Sequence, residues 1–119
     1  MKIMELEEFI EEMDYDYEAV DMVVSEYIKA LSRQLPLLDR LFEEHEYKVL
    51  SREAHSIKGG ARNLMVPGLE DVSTSLESAA LHEDDIAISK YIIRLKEESV
   101  RYELFVRENL PQNSFLTRP

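Results

Sequence analysis

The chain has no cysteine, which excludes a disulfide framework and a thiolate metal site alike. No apolar run reaches the ~18 residues a membrane-spanning helix needs. The start, Met1-Lys2-Ile3-Met4-Glu5-Leu6-Glu7-Glu8, is too acidic for a signal peptide. A cytoplasmic protein, bound to no membrane, is therefore expected. No segment alternates polar and apolar residues for long enough to suggest a strand. Gly59-Gly60 lacks both the preceding spacing and the following Lys-Ser/Thr of a phosphate-binding loop, and there is no His-Glu-x-x-His. Nothing resembles a nucleotide-binding module, so autophosphorylation from ATP is not expected. Basic residues are also scarce: 14 Lys and Arg face 25 Asp and Glu, a formal net charge of -11. That balance argues against nucleic acid and anionic membrane surfaces as partners.

What remains is helical periodicity. A length of 119 residues implies one domain, and 45% hydrophobic residues supply an ordinary core. Leu6, Phe9, Ile10 and Met13 recur at helical spacing, predicting a short helix over Ile3 to Met13. Asp16 suits the N-cap of a second helix with Val20, Val24, Tyr27, Ile28 and Leu31 on one face. Pro36 is expected to kink or divide it before Leu38, Leu41 and Phe42 carry it to about Glu44. A third helix spans Tyr47 to Leu64. Pro67 opens a fourth, whose buried stripe is Leu69, Val72, Leu76 and Ala80. Glu83-Asp84-Asp85 starts a fifth, running to about Asn109 on Ile88, Ile92, Leu95, Tyr102 and Val106. Short connections between amphipathic helices imply an all-α, up-down antiparallel four-helix bundle with an additional short N-terminal helix. The domain is placed at residues 1–110, and 111–119 is expected to be a flexible tail. The fifth helix has a second apolar line at Ile86, Ile93, Val100 and Leu104. The first helix is expected to cover it, leaving a monomer; self-association through that line is the alternative.

Charge is distributed unevenly. Met1 to Glu18 holds eight acidic residues and one lysine, whereas Tyr47 to Leu64 holds four basic residues and only Glu53. On a wheel of ~100° per residue, Leu50, Ala54, Ile57, Ala61 and Leu64 share one side of the third helix. His55 falls opposite, with Lys48, Ser51, Arg52, Lys58, Gly59 and Arg62 within ~60° of it. The sequence thus predicts a solvent-facing imidazole in a positive local field, which suits a nucleophile meeting a dianion. Neutral imidazole can attack phosphorus unaided, since its ordinary pKa near ~6.5 leaves it mostly deprotonated at neutral pH. Lys58, one turn on, can stabilise phosphoryl oxygens. Gly59 has no side chain, so a partner's backbone can approach. Two mid-helix glycines cost ~1 kcal/mol each relative to alanine, and close approach is the reason expected for that cost.

These residues resemble a known family. Ala54-His55-x-Ile57-Lys58-Gly59, with Leu64 closing the helix, is similar to the signature of histidine-containing phosphotransfer (HPt) domains. The helix bearing Tyr27-Ile28 and Leu37-Leu38 sits where that family places its second helix. Leu76-Glu77-Ser78-Ala79-Ala80 resembles its Leu-Glu-x-Ala pattern, so the likeness covers roughly Asp16 to Val106. Met65 departs from it, standing where the family usually ends the helix with glycine. Pro67 can still stop the helix, because it pushes Val66 towards extended geometry.

The resemblance implies a phosphorelay intermediate. His55 would accept a phosphoryl group from a receiver-domain phosphoaspartate and pass it to another receiver. Lys58 would stabilise the group, assisted by Arg62 or Arg52. Ser51, Arg52, Gly59, Arg62, Lys48 and the exposed Met22 of the second helix would meet the partner. Partners would be receiver domains of response regulators or a hybrid sensor histidine kinase. The chain itself would need no cofactor, any Mg2+ residing in the receiver. A helical adaptor that binds such partners without accepting phosphate is the alternative, and an unrelated bundle or small metalloprotein a weaker third. His45 among Glu43, Glu44 and Glu46, and His82 beside Glu83, Asp84 and Asp85, could suggest metal clusters. Neither has a second histidine at ligand spacing, so both read as solvated turn residues and no metal site is expected.

Overall fold

The computed structural model describes residues 2–110; the expected flexible tail, 111–119, lies outside them. Five helices follow in order: α1 (Leu6–Glu12), α2 (Tyr17–Glu43), α3 (Tyr47–Asn63), α4 (Pro67–Leu81) and α5 (Asp85–Asn109). Two starts are capped as their sequences require. Asp16 Oδ1 accepts from the Ala19 N–H, and Asp84 Oδ1 accepts from the Ala87 N–H, each at 3.1 Å. Each bond satisfies an N–H that the first helical turn leaves without a partner. Pro67 occupies the first turn of α4, where its missing N–H costs nothing.

Pro36 does not divide α2, which continues through it to Glu43. Pro36 and Ser32, the residue whose carbonyl loses its intrahelical donor, are both exposed, so water can replace that bond. α1 is shorter than periodicity suggested, because residues before Leu6 pack in another way. Met4 is buried, and the Glu5 N–H donates to the Met65 carbonyl at 2.8 Å. That bond fastens the N-terminal segment to the turn between α3 and α4.

The turns use no glycine. His45, Met65 and Glu83 take positive φ after α2, α3 and α4. In each, two backbone N–H groups bond back to the last helical turn: for Met65, its own N–H to the Arg62 carbonyl and that of Val66 to the Ala61 carbonyl. These paired bonds satisfy carbonyls that would otherwise end the helix bare. Met65 therefore builds the turn the family makes with glycine, at the steric cost of its own Cβ.

The apolar stripes converge as their spacing predicts. Val20, Val24, Leu31, Leu50, Ala54, Ile57, Ala61, Leu69, Leu76, Ile88, Leu95, Tyr102 and Val106 are all buried. α2 packs on α3 and α5, and α4 packs on α3 and α5. The four long helices thus form a ring in which α3 and α5 are diagonal. Among the described residues there is no strand.

One expectation fails. α1 does not cover the second apolar line of α5: Ile86 is 87% exposed, Ile93 58%, Val100 57% and Leu104 54%. α1 lies instead beside the C-terminal end of α5, near Phe105 and Asn109. Those two residues are ~120–160° around the helix from Ile93, so α1 meets a different face.

Candidate functional site

His55 stands in the middle of α3 with its side chain 66% exposed. Ala54, just before it, and Ile57, two residues on, are wholly buried, so the helix is held by the opposite face and offers the ring to solvent. Two neighbouring helices then differentiate the flanks of α3. On one side α2 approaches: Gln34 Nε2 donates to Ser56 Oγ and to Glu53 Oε2, each at 3.3 Å. Deeper in that contact, Tyr27 OH donates to the Ile57 carbonyl at 2.9 Å. Burial pushes the Tyr27 hydroxyl above its ordinary pKa, which keeps it a donor.

On the other side lies α4, and it changes the site. Glu77 bridges two residues of α3, with Oε2 2.8 Å from His55 Nδ1 and Oε1 accepting from Lys58 Nζ at 2.7 Å. One turn or two along the same interface, Arg62 Nε donates to Glu70 Oε2 at 2.9 Å. The hydrogen bond from Lys58, and secondarily that from His55, hold the Glu77 carboxyl below its ordinary pKa against an opposing desolvation effect. Glu77 is thus an anion at neutral pH.

Several sequence expectations are corrected by this flank. Ser51 is buried, at 6% exposure, and takes no part in an open docking face. Lys58 does not face water freely; its side chain is 17% exposed and ion-paired. Both residues lie on the side of His55 that α4 covers, which a wheel for α3 alone does not reveal. Nor is the imidazole ringed only by cations, since Glu77 and Glu70 oppose two of the four. Arg52, Lys48, Gly59 and Arg62 are exposed as expected. A Cβ on Gly59 would meet nothing within 4 Å, so the space beside His55 is open. Met22 is exposed at 61%, but it sits about ten residues, ~15 Å, along α2 from the level of His55. It lies outside the patch around the ring.

Sequence reasoning missed the role of Glu77, although a signal was present. His55 precedes Val66 by eleven residues and Glu77 follows it by eleven; Arg62 and Glu70 stand four residues to either side. In an antiparallel helical hairpin with its turn at Val66, residues equidistant from the turn come face to face.

The geometry therefore joins an exposed histidine, a carboxylate on its Nδ1 and an ammonium beside it on a helical bundle. The family model for the Hpt domain matches residues 5–102. The chain belongs to the Hpt domain family. Hpt domains carry phosphoryl groups on histidine in two-component phosphorelays, and receiver domains are the proteins they meet. No curated protein and no solved structure matches the chain.

The remaining histidines are engaged in local structure. His45 Nδ1 lies 3.0 Å from Tyr47 OH, which donates to Asp85 Oδ1 at 2.6 Å. His82 Nδ1 donates to the Ser78 carbonyl at 2.8 Å. Among the described residues no group of three or more His, Asp or Glu side chains could hold a metal ion. No helix there is long and apolar enough to cross a membrane.

Proposed function

We propose that His55 Nε2 is the phosphoacceptor of a phosphorelay, taking the group from the phosphoaspartate of a receiver domain and returning it to another receiver. One observation carries this reading: Glu77 occupies Nδ1, whereas Nε2 has no partner among the described residues. A carboxylate can only accept, so it places the imidazole proton on Nδ1 and the lone pair on Nε2. The nucleophilic nitrogen is then the one turned to solvent. As Nε2 bonds to phosphorus the aspartyl oxygen leaves as a carboxylate, roughly in line. The ring gains a positive charge that Glu77, on Nδ1, offsets.

Lys58 sits beside the ring in this scheme, tethered through the same carboxylate, and can turn one N–H to a phosphoryl oxygen. Arg52 and Lys48, exposed and without a carboxylate partner among the described residues, supply the attraction for the receiver's acidic pocket. Gly59 leaves room for its loops, and Arg62 borders the patch. Magnesium, on this reading, belongs to the receiver, because Glu77, the carboxylate beside His55 among the described residues, is already shared by His55 and Lys58. The chain acts as a carrier in the cytoplasm and does not use ATP. A hybrid sensor kinase bearing a receiver is an equally suitable donor.

Mixed with a phosphorylated cognate receiver, the protein should gain an acid-labile phosphoryl group, and His55→Gln should abolish it. Labelling that persists in His55→Gln would overturn the assignment. The partial neutralisation of Lys58 and Arg62 favours a second reading, an adaptor that binds receivers without accepting phosphate. Stable receiver binding with no phosphohistidine at any receiver concentration would select it.

A further inference from the structure

The surface of α5 furthest from His55 carries a line of apolar side chains that the fold leaves bare. Ile86, Ile93 and Val100 follow one another at intervals of seven, and Leu104 extends the line. All four lie within ~20° of one direction on the helix, and the line is ~27 Å long. One apolar side chain every seven residues keeps these groups on a single face, the interval at which packed helices repeat their contacts, with Ser89, Lys90, Lys96 and Glu97 between them. In a strongly charged chain, four exposed apolar side chains aligned over this length form a candidate contact face.

Charge identifies the occupant. Over its full length α5 holds five basic residues (Lys90, Arg94, Lys96, Arg101, Arg107) and five acidic ones, a net charge of zero in a chain of net charge -11. Two copies of this acidic protein can meet here without bringing their excess negative charge together. Lys90 and Glu97 edge the seam on the same side, are exposed, and have no ion-pair partner among the described residues. They stand seven residues apart. Antiparallel pairing of two α5 helices about a two-fold axis between residues 93 and 94 sets Lys90 of each copy opposite Glu97 of the other. The same register stacks Ile93 on its own copy and Ile86 beside Val100 of the other.

We propose that the protein forms an antiparallel homodimer through the outer face of α5. Because α5 is diagonal to α3, both His55 rings point away from the interface, and each protomer keeps an open phosphoacceptor face. The dimer replaces the monomer expected from sequence, and it stands independently of the phosphorelay reading.

Sedimentation equilibrium on the full chain from low to high micromolar concentration is the test. The apparent mass should rise from 13.9 kDa towards twice that value. Ile93→Glu should hold it at the monomer mass with unchanged circular dichroism, since that side chain is largely in water. Lys90→Glu should weaken the dimer, and Lys90→Glu with Glu97→Lys should restore it. A monomer at every concentration overturns the proposal and assigns the seam to a different protein. A dimer that survives Ile93→Glu overturns the face, and a double variant no tighter than Lys90→Glu overturns the register.

Discussion

Gly60 of α3 and the ring of Tyr27 of α2 fill one space: a Cβ on Gly60 would press into the ring, with Tyr27 Cδ1 only 2.9 Å away. The two adjacent glycines of α3 thus have separate reasons. Gly60 admits Tyr27, which then bonds to the Ile57 carbonyl and meets Tyr102 edge-on at 5.9 Å between ring centroids. Gly59 faces open solvent.

Their alanine variants should therefore diverge. Gly60→Ala must displace a buried ring and should destabilise the fold by about 1–3 kcal/mol. Gly59→Ala meets no atom and should stabilise it by about 1 kcal/mol through helix propensity, while slowing transfer from a receiver. Chemical denaturation of the two variants checks the first contrast. Equal destabilisation would mean that Gly59 is also a packing residue.

Glu77 should govern transfer without being the acceptor. Glu77→Ala frees the imidazole to rotate and to change tautomer, and it removes the anion that offsets the charge gained on phosphorylation. Initial transfer rates should fall about tenfold or more, equivalent to ~1.4 kcal/mol. Glu77→Gln can still accept from Nδ1–H through its amide oxygen, so it should lose less than Glu77→Ala. A Glu77→Ala protein that accepts phosphate at the parent rate would remove the carboxylate from the mechanism.

The same residue shows where sequence was sufficient and where it was not. The buried faces of α2 to α5 were legible because a helix repeats every ~3.6 residues and each stripe is a local property. His55 was legible for the same reason, lying opposite Leu50, Ala54, Ile57 and Ala61. Ser51 and Lys58 were misplaced because their exposure depends on which neighbour covers which flank of α3, a tertiary property. Glu77 required the hairpin register as well. The uncovered line on α5 was visible as a line, but where α1 packs is decided by Met4, Phe9 and the Glu5–Met65 bond.

Acid should dissolve the Glu77 bridge in a defined direction. A carboxyl held below its ordinary value of 4.5 contributes stability that is fully present above that value. The contribution is lost as pH falls through the depressed folded-state pKa. The stability gap between the parent chain and Glu77→Gln should accordingly be present near neutrality and close as pH falls below about 4.5. Denaturation series for both proteins from pH 7 to pH 3 would show this. A gap that widens as pH falls below about 4.5 would reverse the sign and contradict the pairing with Lys58.

Glu83 offers a test of the glycine-free turns, away from the site. It is exposed and adopts φ 51° between α4 and α5, where its Cβ crowds the neighbouring carbonyl. The two bonds that build this turn, Glu83 N–H to the Ala80 carbonyl and Asp84 N–H to the Ala79 carbonyl, involve only backbone. Glu83→Gly keeps both bonds and removes the crowding, so it should raise stability by about 1 kcal/mol, less the entropy glycine adds to the unfolded chain. Met65→Gly relieves the same strain but also empties a partly buried position against the core, so it should gain less or lose. Thermal melts of the pair settle the order, and a Met65→Gly protein more stable than Glu83→Gly would show that the Met65 side chain contributes nothing to packing.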